Sequence, residues 1–177
     1  MDNILLIGNS GILLDQALGE KIDAFNGEIV RFNNFVIEGF EKYVGHRTDW
    51  WFGNSVFWGD SKLKVKRIYI AYTRPPESHL KYDAKFIGDD IIQKTRDQVG
   101  TMTPAGGTLA IMYFLDKQYN IFICGYDWYH DKRIHYFENE INNNILFKNR
   151  YRHHHNRDAE ETWTKRLIGE SKVQWFN

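Results

Sequence analysis

Ile4-Leu5-Leu6-Ile7 is an unbroken apolar run that stops at Gly8-Asn9-Ser10-Gly11. A strand with one wet face alternates apolar and polar side chains, so four apolar residues in succession fit a strand covered on both faces. Such cover comes from helices packed on each side, which is the arrangement of a parallel α/β sheet. The glycines that follow permit a tight turn. Beyond them Ile12, Leu13, Ala17 and Leu18 give residues 12–18 an apolar helical side that ends at Gly19.

The same alternation continues down the chain. Residues 28–33 (EIVRFN) read as a second strand, 40–44 as a short helix, and 49–52 and 65–72 as further strands. Past Pro75-Pro76, residues 78–86 and 89–99 read as helical. Thr103-Pro104-Ala105-Gly106-Gly107 is a second Gly-rich turn, opening into a helix over 108–118 that is apolar on nearly every side and expected to be buried. Residues 120–125 (NIFICG) read as another interior strand and 129–151 as a polar, aromatic loop with short helical pieces. A last helix over 157–169 carries Ala159, Trp163 and Leu167 one turn apart. The expected fold is α/β: a single Rossmann-like domain over 1–177, with a mainly parallel sheet flanked by helices.

Composition narrows the function. The 177 residues carry 23 basic and 23 acidic side chains, and that neutrality argues against a broad binder of nucleic acid or anionic membrane. One cysteine, Cys124, cannot form an internal disulfide, so the fold does not depend on an oxidising compartment. No basic region precedes the short apolar start, and no stretch reaches the about 20 apolar residues of a membrane span. The expectation is a cytoplasmic protein with no integral membrane segment.

Parallel sheets bind ligands beyond the carboxyl ends of their strands, where the strand order reverses. Three polar or Gly-rich turns are candidates for that position: residues 8–11, 31–34 and 104–107. A helix start offers free backbone N–H groups to a phosphate, and asparagine amides offer both a donor and an acceptor to a base or ribose. Neither GxGxxG nor GxxxxGK[ST] is present, so a plain tight turn stays open as the alternative reading of Gly8-Asn9-Ser10-Gly11.

Four runs then fall in one order. Ile7-Gly8-Asn9-Ser10-Gly11, Gly19, Ile22-Asp23, Val30-Arg31-Phe32-Asn33, Gly39-Phe40-Glu41 and Val44-Gly45-His46-Arg47-Thr48 together resemble the large sialyl motif of the animal-type sialyltransferases (glycosyltransferase family 29). Residues 104–110 (PAGGTLA), leading to Ile123-Cys124-Gly125-Tyr126, resemble the small motif. His135-Tyr136-Phe137-Glu138 resembles the third motif, and His155 with Glu160 the very small one. The resemblance implies a glycosyltransferase of GT-A-like variant fold that uses a CMP-sugar donor and a glycan acceptor. It implies that Asn9, Ser10 and the backbone at Gly11 hold the phosphate and ribose, and that Asn33 contacts the CMP moiety. It further implies that Gly106, Gly107 and Thr108 line ribose and base, that His135 donates to the departing phosphate, and that His155 takes the acceptor proton. Glu160 would then orient or support.

The chemistry agrees with those assignments. A sugar hydroxyl is a poor nucleophile and needs a base working near neutral pH, where the unperturbed histidine pKa lies. A second, donating histidine stabilises negative charge leaving on the phosphate. CMP leaves with one phosphate and no DxD stands at a strand end, so neither a metal nor a cofactor is expected beside the donor substrate.

The chain also departs from the family. Animal members pair two cysteines where Ile4 and Gln118 stand here, so that link is absent. Their Pro-Ser-Thr-Gly is Pro104-Ala105-Gly106-Gly107, which shifts donor contacts to the backbone, Thr103 or Thr108. Asn34-Phe35-Val36 replaces the usual Ala-Pro after Asn33, and the segment between the two large motifs is short, which leaves the acceptor open. Trp50-Trp51-Phe52 reads as core rather than a sugar platform, and His46 and Arg47 as structural. Lys62, Lys64, Lys66 and Arg67 read as a solvated strand face. Lys148, Arg150 and Arg152 offer cations to a donor carboxylate, while His153-His154-His155 also suits a basic patch or a transition metal. The rival functions are a CMP-Kdo-type transferase, a CMP-binding module without transfer, and a nucleic-acid binder working through residues 152–157.

Overall fold

Seven strands form one sheet in the computed structural model, which describes residues 1–54, 65–70, 84–131, 133–137 and 155–177. They are β1 (Asn3–Ile7), β2 (Glu28–Phe32), β3 (Trp50–Asn54), β4 (Lys66–Ile70), β5 (Ala84–Phe86), β6 (Asn120–Cys124) and β7 (Val173–Trp175). The order is β5-β4-β3-β2-β1-β6-β7, and every pairing is parallel. The helices are α1 (Gly19–Asp23), α2 (Glu41–Val44), α3 (Asp89–Val99), α4 (Gly106–Asp116) and α5 (Arg157–Gly169). Among the described residues no helix is long and apolar enough to cross a membrane.

The apolar run that opens the chain earns its central place. β1 lies between β2 and β6, with Leu6 opposite Val30 on one side and Ile123 on the other. Ile4, Leu5, Leu6 and Ile7 are all at most 1% exposed. Leu6, Val30, Phe52 and Ile123 pack with Leu109, Phe114, Trp163 and Leu167 of α4 and α5. Leu5, Ile7, Ile29 and Cys124 pack on the opposite face with Leu13, Ile22 and Val44. Each side chain of this kind stabilises the fold by about 1.5–3 kcal/mol relative to leaving it wet. The expected α/β architecture is therefore what forms, and Trp50 and Trp51 are core, at 5% and 1% exposure.

Several local expectations change. Of the residues expected to be helical over 12–18, only 12–15 are wound, in the 3-10 turn Gly11–Asp15, and α1 begins only at Gly19. The Ser10 hydroxyl accepts from Ile12 N at 3.2 Å and winds the first turn tightly, while Gly19 is pressed against the Glu41 backbone. Residues 84–86, expected in a helix, are edge strand β5, because pairing of Lys85 with Ile68 outweighs local propensity; residues 78–83 lie outside the described residues. β7 is too short to show a periodicity. Lys66 is exposed but not simply solvated: its ammonium pairs with Glu28 and lies 4.7 Å from the Trp50 ring centroid.

A charged side chain of β2 lies within the apolar layers. Arg31 of β2 is 1% exposed, and its guanidinium donates to the carbonyls of Val44 (2.6 Å), Gly45 (3.2 Å) and Arg47 (2.9 Å) and to the Thr48 hydroxyl (2.9 Å). Burial pushes its pKa down, and Tyr136, Cys124 and Asp23 push it back up. Arg47 and His46 are structural as expected: Arg47 donates to the carbonyls of Asp23, Phe25 and Gly27, and His46 meets Asp23 at 2.8 Å. Arg31 thereby clamps the loop after α2 onto the sheet. A lysine cannot span those acceptors, so Arg31→Lys is expected to lower stability by about 3 kcal/mol, read from urea unfolding with an unchanged m-value.

Candidate functional site

The strand order reverses between β1 and β6, and their carboxyl ends cross at two glycines. Gly8 N–H donates to Cys124 O at 2.8 Å, and Ser10 N–H donates to Gly125 O at 3.2 Å. A Cβ on Gly8 would lie 2.2 Å from Gly125 O, and one on Gly125 would lie 2.7 Å from Gly8 O. Gly125 also has a φ of +68°, which only glycine adopts without cost. Cys124 beneath this crossing is a buried free thiol whose pKa burial pushes up to about 12, so it acts as a small apolar group.

Asn9 leaves the crossing toward β2. Its Nδ2 donates to Phe32 O at 3.0 Å, which places the amide beside Asn33. Asn33 has a left-handed φ of +49°, held by its N–H on Phe52 O (3.0 Å) and by Trp51 Nε1 donating to its carbonyl (2.8 Å). Residues 133–137 fold back over this rim. Tyr136 N–H donates to Asn9 O at 2.9 Å, and the Tyr136 hydroxyl donates to Val36 O at 2.5 Å. Gly11 N–H donates to Arg133 O at 3.3 Å. His135, beside Tyr136, is half-buried with its ring stacked on Phe137 at 5.2 Å. Hence Asn9, Ser10, Gly11, Asn33 and the segment carrying His135 form one hydrogen-bonded rim.

The second group forms at the start of α4. Ala105 caps it without a side-chain bond, so the first backbone N–H groups, at Gly106 and Gly107, have no partner within the helix. Glu160, 2% exposed, reaches across from α5 to accept from Ala105 N at 3.1 Å and from the Thr108 hydroxyl. The Thr108 side chain is thus turned inward, which leaves ligand contact there to backbone groups. The Tyr126 ring joins the two groups: Cβ atoms on Gly8 and Gly107 would come within 3.1 and 2.8 Å of it.

His155 stands just before α5. Its Nδ1 lies 2.8 Å from Thr103 O. A carbonyl can only accept, so Nδ1 carries the hydrogen and the neutral ring has its lone pair on Nε2. A half-buried imidazole held in that tautomer is equipped to take a proton. Burial raises the Glu160 pKa above the usual 4.5, opposed by Thr108, His155 and Ala105.

Of the residues that knit the rim, Tyr126 and Tyr136 stood in the small and third motif runs without a role of their own, and Arg133 was not singled out by sequence. Lys148, Arg150, Arg152, His153 and His154 lie outside the described residues, and among the described residues no three His, Cys, Asp or Glu gather as a metal-ligand set.

Comparison with known proteins supports the motif reading. Residues 4–67 match the model of glycosyltransferase family 29 (sialyltransferase). A human protein named type 2 lactosamine alpha-2,3-sialyltransferase is 46% identical over 44 residues, 25% of this chain and 13% of that protein. A human CMP-N-acetylneuraminate-beta-1,4-galactoside alpha-2,3-sialyltransferase is 41% identical over 44 residues, 25% of this chain and 12% of that one. The matched stretch thus spans about an eighth of these relatives' length. In fold the likeness runs further. A mammalian sialyltransferase crystallised with Gal-beta-1-3GalNAc-ortho-nitrophenol superposes with a TM-score of 0.76 at 20% identity, over 99% of this chain and 69% of that one. The chain resembles the sialyltransferases in sequence over its first strands and shares their fold over nearly all its length.

A raised Glu160 pKa means the folded state holds a proton that the unfolded state has released. Its contribution to stability is full below pH 4.5 and falls as pH rises toward the folded pKa. Glu160→Gln is expected to remove that decline. The measurement is the difference between wild-type and variant urea stabilities from pH 4 to 8, which should slope in favour of the variant as pH rises.

Proposed function

We propose that the chain transfers sialic acid from CMP-sialic acid to a galactoside hydroxyl, without a metal and with inversion at the donor's anomeric carbon. The observation that carries this reading is His155, whose Nδ1–H is fixed on Thr103 O so that Nε2 is the basic atom. Its support is the family match and the two relatives whose names specify a CMP-N-acetylneuraminate donor and lactosamine or galactoside acceptors.

In this reading the phosphate lies beside the crossing of β1 and β6, against the backbone N–H groups of Gly106 and Gly107 at the α4 start. Asn9 and Asn33 present amides to the nucleoside. The acceptor hydroxyl oxygen attacks the anomeric carbon, the bond from that carbon to the CMP phosphate oxygen breaks, and the hydroxyl proton passes to His155 Nε2. The departing phosphate takes the electron pair, with His135 donating to it. Backbone N–H groups already aimed at the leaving charge need no reorganisation as it develops, which is where such sites gain most of their rate.

The test is transfer from CMP-sialic acid to lactose by purified protein, in the presence of EDTA. Turnover should survive EDTA and fall about 10²–10⁴-fold in His155→Ala, with CMP affinity by calorimetry unchanged. Strict dependence on an added divalent metal would overturn the mechanism. CMP binding with no turnover on any galactoside would instead favour a binding module. Competition by CMP-Kdo for release of CMP separates the two donors.

A further inference from the structure

We infer that Trp128 and Trp175 form a stacking subsite for the acceptor's pyranose ring; this rests on the transferase reading above and names where the acceptor sugar sits. Trp50 and Trp51 are buried, so they offer no face to a sugar. Among the described residues the exposed indole stands on the edge strand: Trp175 of β7 is 40% exposed, and Trp128 meets it at 6.1 Å between ring centroids, nearly edge to face at 80°.

The pair is a built corner. Trp128 and Tyr129 both have left-handed φ values, +49° and +64°, a conformation that bulky side chains rarely take. The Asp127 carboxylate holds the turn by accepting from Tyr129 N at 3.1 Å and from Asp131 N at 2.8 Å. This turn brings the Trp128 ring onto Trp175.

The corner is continuous with the candidate site. Residues 125–131 run directly from Gly125 at the β1–β6 crossing, and Trp128 is three residues on, within about 10 Å of chain. The other end of the loop is tied to the first turns of α5, where His130 Nε2 meets Glu161 at 2.7 Å, one residue past Glu160. The corner therefore lies between the donor rim and the helix that His155 precedes. A galactopyranose has one face of C–H groups and a hydroxylated edge, and a rigid tryptophan covers such a face at little entropic cost. Beside the corner the Glu161 carboxylate is paired with Lys165 and the Asp127 carboxylate is engaged by backbone N–H groups, which suits a neutral sugar.

The test uses the full chain with lactose as acceptor and methyl β-D-galactopyranoside as the binding probe. Trp175→Ala is expected to raise the KM for lactose at least tenfold, leaving kcat and the donor KM within twofold, and Trp175→Tyr to restore most of the loss. In the wild-type protein the probe should shift the Trp128 and Trp175 indole N–H resonances. An unchanged lactose KM in Trp175→Ala, or an equal rise in donor KM, overturns the subsite even if transfer occurs. Should Trp175→Ala fail to fold, indole resonances of the wild-type protein that do not respond to the probe overturn it as well. If the wild-type protein transfers nothing yet the probe shifts both indoles, the subsite stands and the transferase reading is what fails.

Discussion

The site is possible because two strands end on glycine. At Gly8 and Gly125 the backbones of β1 and β6 approach so closely that neither position has room for a Cβ. The hydrogen bonds across this approach, Gly8 to Cys124 and Ser10 to Gly125, then fix where each chain goes next. One path leads through Asn9 to the end of β2, the other through Tyr126 to the start of α4. A bulkier residue at the crossing would spread the strands and separate the two groups that the site needs together.

Buried polar atoms perform the second task, which is to hold loops that have little core of their own. Glu160 joins α5 to the start of α4, and Arg31 joins the loop after α2 to β2. Neither is cheap to bury, and the raised pKa of the first and lowered pKa of the second record that cost. Each is offset by several acceptors or donors rather than by one opposite charge. Both clamps end on backbone, so what they fix is the path of the chain on either side of the crossing.

Much of this was legible in the sequence where one physical signal dominates. The run Ile4–Ile7 fitted a strand with both faces covered, and the apolar surround of α4 fitted a buried helix. The candidate site residues Asn9, Asn33, His135 and His155 are far apart in the chain with no periodicity to link them, so only motif order pointed to them. What sequence missed was decided by long-range contact. β5 forms because β4 offers it an edge, and the 3-10 turn forms because Ser10 caps at short range while Gly19 must fit against Glu41. The Thr108 hydroxyl was a candidate ligand group until Glu160 met it from 52 positions away.

The pairing of β1 sets the order in which the molecule can assemble. Its partner β2 follows closely, at Glu28 opposite Ile4, whereas Asn3 and its β6 neighbour Asn120 are 117 positions apart. Closing the longer loop costs more chain entropy before any contact rewards it. During synthesis from the amino terminus, β1, β2 and β3 can therefore associate well before β6 exists. Until it arrives, β1 presents an apolar, unpaired edge of the kind that recruits other chains. The contact at Gly8 and Gly125 thus forms only once β6 has been made, and the same step that completes the candidate crevice covers that edge of β1.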